Sequence, residues 1–179
     1  MIKSFNNIYP AIDAAAFVSE TSVIIGDVHI GSQSSIWYNV VIRGDVNSIR
    51  IGSRTNIQDL SLLHVTGKKG ESRPGFPLII GDNVTVGHKV TLHGCTVENN
   101  AFIGMNAMVM DGVVVGEGSM VAAGSLVTER TVIPPWTLWM GSPAKLKRSI
   151  SDEERIRSIE LAESYVNLSK TYIKERAEP

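Results

Sequence analysis

Three of the four histidines, His64, His88 and His93, are the residues of this sequence best suited to chemistry. Neutral imidazoles are good ligands for zinc and similar ions, and a metal held by three protein nitrogens keeps at least one position open for water. Water at that position ionises near a pH of about 7, so such a site supplies hydroxide under neutral conditions. The site exists only if the backbone brings all three rings within about 2.1 Å of one point. Arg43, Asp45, Gln58 and Asp59 are the polar residues whose positions follow the histidines most closely, and the elements that carry them decide which can meet.

Those elements are set by a six-residue period. Aliphatic residues fall on every sixth position at Ile12, Val18, Ile24, Ile30, Ile36 and Ile42, and again from Val97 through Ile103, Val109, Val115, Val121 and Val127 to Ile133. Ile51, Ile57 and Leu63, then Ile80, Val86 and Leu92, fill the gap, and small or β-branched residues such as Ser22, Ser34, Thr55, Ala101, Ala107, Ser119 and Ser125 precede many of them by two places. A helix repeats at about 3.6 residues and a strand at about 2, so neither explains a period of six. Hexapeptide spacing predicts a parallel β-helix with three short strands per coil, each coil taking about eighteen residues and rising about 4.8 Å. One coil cannot bury its aliphatic residues, and only stacking makes a core.

The period is broken in three places. Ile42 and Ile51 are nine apart; Leu63 and Ile80 are seventeen apart, with the Gly-, Pro- and charge-rich stretch 67–77 predicted to protrude as a loop; and Leu92 to Val97 is one residue short. Once the chain is laid on three columns, Arg43, His64 and His93 each follow a residue of one column on successive coils. His64 and His93 are 29 apart in sequence, of which eleven belong to the loop, leaving the eighteen of one coil. Their rings are near enough to share a metal. His88 follows a different column and stands above Asp59, beside Gln58, and the five residues from His88 to His93 span roughly 16 Å when extended. The sequence therefore offers two half-sites on different faces. A cyclic trimer would join them into three equivalent sites, because a rotational interface sets one face of each subunit against a different face of the next.

The residues V-I-R-G-D (41–45), N-I-Q-D (56–59), L-H-V-T (63–66), V-G-H-K-V-T-L-H-G-C (86–95) and M-G-S-P-A-K (140–145) resemble the γ-class carbonic anhydrases, and more closely their short bacterial branch in the hexapeptide-repeat, or isoleucine-patch, superfamily. The resemblance covers nearly the whole chain. It implies a mainly β fold, a left-handed parallel β-helix with a C-terminal α-helix, and a homotrimer. It also implies a zinc ion, with iron or cobalt as variants, held by His64 and His93 of one subunit and His88 of the next. Arg43 and Asp45 would pair across the interface, Gln58 and Asp59 would line the site, and carbon dioxide and bicarbonate would be the substrates. Tyr165 matches a tyrosine that some short members place near the metal; packing of the helix is the other reading of that residue. Two departures stand against fast hydration: Val46 replaces a glutamate after Asp45, and the loop, with Lys68, Lys69, Glu71 and Arg73, is net basic where the family carries a proton-shuttling glutamate.

Composition narrows the partners. The 179 residues suit one domain, 43 % are hydrophobic, and a net charge of −1 gives no basic footprint for nucleic acid. The first residues lack the apolar core of a signal peptide, no run is long enough for a membrane span, and a cytoplasmic protein is expected. Cys95, alone, is read as a small inward-facing residue, and His29 as a surface residue. The β-helix is expected over 1–150. From 151 to 179 the pattern becomes helical, opening on the capping box Ser151-Asp-Glu-Glu154, and the helix is long enough to run the height of the coils. Two other functions fit the same fold: a hexapeptide-repeat acyltransferase, which needs one histidine and no metal, and a catalytically idle metal-bound trimeric scaffold.

Overall fold

The computed structural model describes residues 1–70 and 75–177, so Glu71 and Arg73 of the loop and the last two residues lie outside the described residues. Aliphatic side chains at every sixth position all point inward and stack in three columns. The first face carries Ile24, Ile42, Leu63, Leu92, Val109 and Val127 in parallel register. The second carries Val18, Ile36, Ile57, Val86, Ile103 and Val121. The third runs from Ile12 and Ile30 through Ile51, Ile80, Val97 and Val115 to Ile133. All except Ile12 and Val18, at the N-terminal end, are fully buried, and each such burial contributes about 1.5–3 kcal/mol. The architecture is a parallel β-solenoid of about seven turns with a single C-terminal helix, as the six-residue period predicts.

The small residues two places earlier hold the inner corners. Ser34, Thr55, Ser61 and Ser119 turn their hydroxyls onto the carbonyls of Gly52, Gly81, Gly87 and Pro134 at 2.6–3.0 Å, which ties each coil to the one above while leaving room for the aliphatic stack. Cys95 is buried in the same inward position, and burial pushes its thiol up to about 12, so it is inert packing.

The three irregularities shape the edges. The nine-residue spacing becomes one long strand, Val41–Ile51, that rounds a corner and pairs on two faces. The loop leaves between Thr66 and Phe76, whose backbones close its mouth with two antiparallel hydrogen bonds of 3.0 Å. The missing residue falls at Gly94, where φ is +52°. Two features have no counterpart in the period: Ile2–Lys3 adds a parallel strand at the N-terminal end, and Ala144–Ser149 returns antiparallel on Thr137–Gly141, which itself stacks in parallel on Met120–Val121.

The helix α1 spans Asp152–Ala177. Its capping box forms as read: the Glu154 amide donates to Ser151 Oγ at 3.2 Å, and the Ser151 amide donates to Glu154 Oε2 at 3.0 Å. The helix lies on the second face, reaching from the late coils back to the first. There Trp37 packs edge-on to Tyr165 and Tyr172, Phe17 packs on Tyr172, and Arg176 bonds the Val18 carbonyl and Glu20. Beneath it the outward-pointing Ser35, Asn56 and Thr85 form a buried polar ladder.

Candidate metal centre

His64 closes the strand Leu62–His64 and His93 closes Thr91–His93; the two strands pair in register with His93 directly opposite His64. Their rings are 5.0 Å apart between centroids, and His64 Nδ1 lies 3.1 Å from His93 Nε2. Two nitrogens at about 2.1 Å from one tetrahedral ion would be about 3.4 Å apart, so the pair is already spaced as two ligands. Arg43 stands one coil below on the same face, and its Nη1 donates to Asp45 Oδ2 at 2.5 Å within the same chain, where the resemblance implies pairing across an interface. Gly44 between them has no room for a side chain, since a Cβ there would come 2.7 Å from the Asp27 carbonyl oxygen.

Each ring has a carboxylate on the nitrogen turned away from the pair. Asp45 Oδ1 lies 3.2 Å from His64 Nε2, and Asp111 Oδ1 lies 2.7 Å from His93 Nδ1. Burial alone would raise Asp45, but the hydrogen bonds from Arg43 and His64 outweigh it and hold the carboxyl below its ordinary value. Ionised carboxylates only accept, so each favours the ring proton on the nitrogen that faces it. With both rings in that tautomer, the two nitrogens 3.1 Å apart face one another through lone pairs, a contact that an added proton or a metal would relieve. Burial, with the nearby charges of Arg43 and His93, pushes the His64 pKa below its ordinary value despite Asp45, which disfavours the extra proton.

The second half-site sits on the corner that follows the second face. His88 Nδ1 lies 2.8 Å from Asp59 Oδ2, one coil apart as the columns require. Leu60 and Lys89, the next residues, hold left-handed φ of +64° and +59°, a conformation costing about 1–2 kcal/mol for a side chain other than glycine, and this turns the corner immediately after Asp59 and His88. Gln58 is 5 % exposed, and its Nε2 donates to Asn56 Oδ1 at 3.1 Å while Asn56 in turn donates to Thr85 Oγ1 at 2.9 Å. Tyr165 joins this corner from the helix. Burial first, then the charge of Asp59, raises its hydroxyl pKa, and its ring packs on Trp37, as the packing reading of the residue expects.

The structure thus brings Arg43, Asp45, His64 and His93 together on one face, and Gln58, Asp59, His88 and Tyr165 at a corner. Among the described residues of one chain, no three His, Cys, Asp or Glu side chains are grouped to hold a metal. Exposed apolar residues adjoin both half-sites: Leu62 and Met108 on the face of His64, Leu60 and Met105 by the corner of His88. A cleft of about 350 Å³ opens beside His93, lined by Met108, Met110, Asp111 and Glu129. Asp111 is absent from the residues marked by sequence, and its partner Thr66 appears there only as the last residue of L-H-V-T. The available signal was that Asp111 follows Val109 by two places, one coil above the histidine row.

A family model described as Dynactin subunit 5 matches residues 5–173. The mitochondrial Gamma carbonic anhydrase 1 of Arabidopsis thaliana is 52 % identical over 170 residues, 95 % of this chain and 62 % of that protein, so the chain spans about three-fifths of that relative's length. A probable carbonic anhydrase of Methanocaldococcus jannaschii is 51 % identical over 155 residues, 86 % of this chain and 92 % of that protein. The chain belongs to the γ-class carbonic anhydrase-like family of hexapeptide-repeat proteins. A solved structure of a putative acetyltransferase from Bacillus cereus superposes on this family member with a TM-score of 0.90 at 42 % identity, covering 96 % of each chain. No helix among the described residues is long and apolar enough to cross a membrane.

Proposed function

We propose that the protein binds zinc, or iron or cobalt, between the subunits of a homotrimer, and catalyses the reversible hydration of carbon dioxide to bicarbonate. His64 and His93 of one subunit and His88 of the next are the ligands. The observation that carries this reading is the 3.1 Å contact between two imidazole nitrogens on rings whose other nitrogens each face a carboxylate. The exposed Leu60, Leu62, Met105 and Met108 supply apolar surface for the subunit contact that would bring His88 to the pair. The chemistry a metal supplies when bound there is a nucleophile at neutral pH, through acidification of water.

The chain's own residues do the rest. Gln58, its amide fixed by Asn56 and Thr85, presents its carbonyl oxygen as an acceptor that orients a water or the hydroxyl of bicarbonate. Asp59 accepts from His88 and sets which nitrogen of that ring is open. Arg43 places a positive charge near the product anion while Asp45 steadies it. Tyr165, whose hydroxyl stays protonated at neutral pH, acts as a donor from the helix. A cytoplasmic location is the proposed setting.

A second reading, a metal-bound trimer without appreciable activity, is favoured by exposed Val46, where the resemblance expects a glutamate, and by the net basic composition of the loop that carries Lys68 and Lys69. Metal content of protein purified without chelator, measured beside a stopped-flow hydration assay with buffer titration, decides among the three functions. We expect one metal per subunit and a buffer-dependent hydration rate above background. Metal without hydration selects the idle scaffold; no metal returns the acyltransferase.

A further inference from the structure

Asp111 makes the shortest carboxylate contact to any of the three site histidines. The strand Met108–Val109 stacks directly on Thr91–His93, and Asp111, two places further on, meets His93 Nδ1 at 2.7 Å. Its second oxygen is occupied too: Thr66 Oγ1 donates to Asp111 Oδ2 at 2.6 Å. Thr66 is itself fixed on both sides, by the backbone bridge to Phe76 at the loop mouth and by Asn47 Nδ2, which donates to its carbonyl at 3.0 Å. Nothing bulky can intervene. A Cβ at Gly94, the residue after the ligand, would lie 2.3 Å from Asp111 Oδ1 and 2.7 Å from Phe76 Cβ.

We propose that Asp111, held by Thr66, is the positioning residue for His93: it keeps the ring proton on Nδ1 and so turns the Nε2 lone pair toward His64. A free neutral imidazole of histidine prefers its proton on Nε2, so the opposite tautomer needs a local acceptor, and a hydrogen bond to the remote nitrogen is the usual device. Asp111 also ties the loop mouth to the ligand through one continuous chain, Phe76 to Thr66 to Asp111 to His93. The metal part of this inference rests on the function proposed above; the tautomer part does not.

The test uses the full-length protein labelled with ¹⁵N in its histidines, studied metal-free at a pH above the imidazole range by long-range ¹H–¹⁵N spectra. The wild type is expected to carry the His93 proton on Nδ1. Asp111→Ala should move it largely to Nε2, while Asp111→Asn, whose amide oxygen can still accept, should retain it. Cobalt(II) titration of the same proteins should weaken binding by about 10- to 100-fold in Asp111→Ala, by a few-fold in Thr66→Val, and least in Asp111→Asn. A wild-type His93 protonated on Nε2, or an Asp111→Ala protein with unchanged tautomer and unchanged cobalt affinity, overturns the proposal. Should Asp111→Ala not fold, the wild-type tautomer and Thr66→Val still decide it. If the wild type takes up no cobalt, the metal reading falls while the tautomer result stands by itself.

Discussion

At the scale of single residues, each site histidine is paired with a carboxylate, Asp45, Asp59 or Asp111, and the nitrogen left open on each ring follows from that pairing. Gly94 is the residue on which the His93 pairing depends sterically. A Gly94→Ala substitution must adopt φ near +52° and move either Asp111 or Phe76, so we expect a loss of about 1–3 kcal/mol in denaturant unfolding and a weaker metal affinity by direct titration. A variant with wild-type affinity would mean that the Asp111 contact is dispensable. The histidine row could be read from sequence because a fixed period converts residue number into height and face; His64 and His93 needed only the loop subtracted. Asp111 could not, since its role depends on a side-chain direction and on the small residue at 94, neither of which the period encodes. The partner of Arg43 was legible as Asp45, and within a single chain the two already bond.

At the scale of elements, α1 decides what happens to the second face. Its capping box was legible because Ser151 and Glu154 stand at the required spacing, but the face it covers was not, as the inward hexads look alike on all three. Outward residues hold the answer. Ser35, Trp37, Asn56, Gln58 and Thr85 all point away from the aliphatic stack and are nevertheless buried, which only a covering helix can achieve. The start of that helix has a pH dependence. Arg148, with Ser151 behind it, lowers the Glu154 pKa from an ordinary 4.5 to about 2. A depressed acid stabilises the folded form above its unfolded value and loses that contribution as pH falls through the folded one. Helix content by circular dichroism should therefore decline between about pH 4.5 and 2, and Glu154→Gln should remove part of that dependence while lowering stability near pH 7. Solvent screens this pair, so the effect is modest. The hairpin over 137–149 was not legible for a simpler reason: aliphatic hexads end at Ile133, and although Trp139 falls on the next sixth position and stacks on Val121, nothing in the period marks the return strand Ala144–Ser149.

At the scale of the whole molecule, the two half-sites make assembly a condition of chemistry. In the proposed trimer, His64→Ala subunits retain His88 and His88→Ala subunits retain the His64–His93 pair. When equal amounts are unfolded together and reassembled, a complete site needs an intact pair next to an intact His88, which chance provides at about one site in four. Metal analysis of the mixture should recover that fraction, and recovery near zero at every ratio would remove the shared site. The stacking of the chain into three-sided coils was legible from the repeat alone. The left hand of the winding was legible only through family resemblance, because parallel crossovers elsewhere are right-handed in nearly every case. The terminal hairpin has a consequence of its own. Stacked coils leave bare amides and carbonyls at the last rung, an invitation for another copy to continue the column. On the second face Thr137–Gly141 occupies that rung, and Ala144–Ser149 then runs against it the other way with Lys145 and Lys147 exposed, while Arg148 is engaged by Glu154. An incoming molecule would meet reversed polarity and two exposed cations on that face rather than a matching ledge, which works against threading particles into fibres.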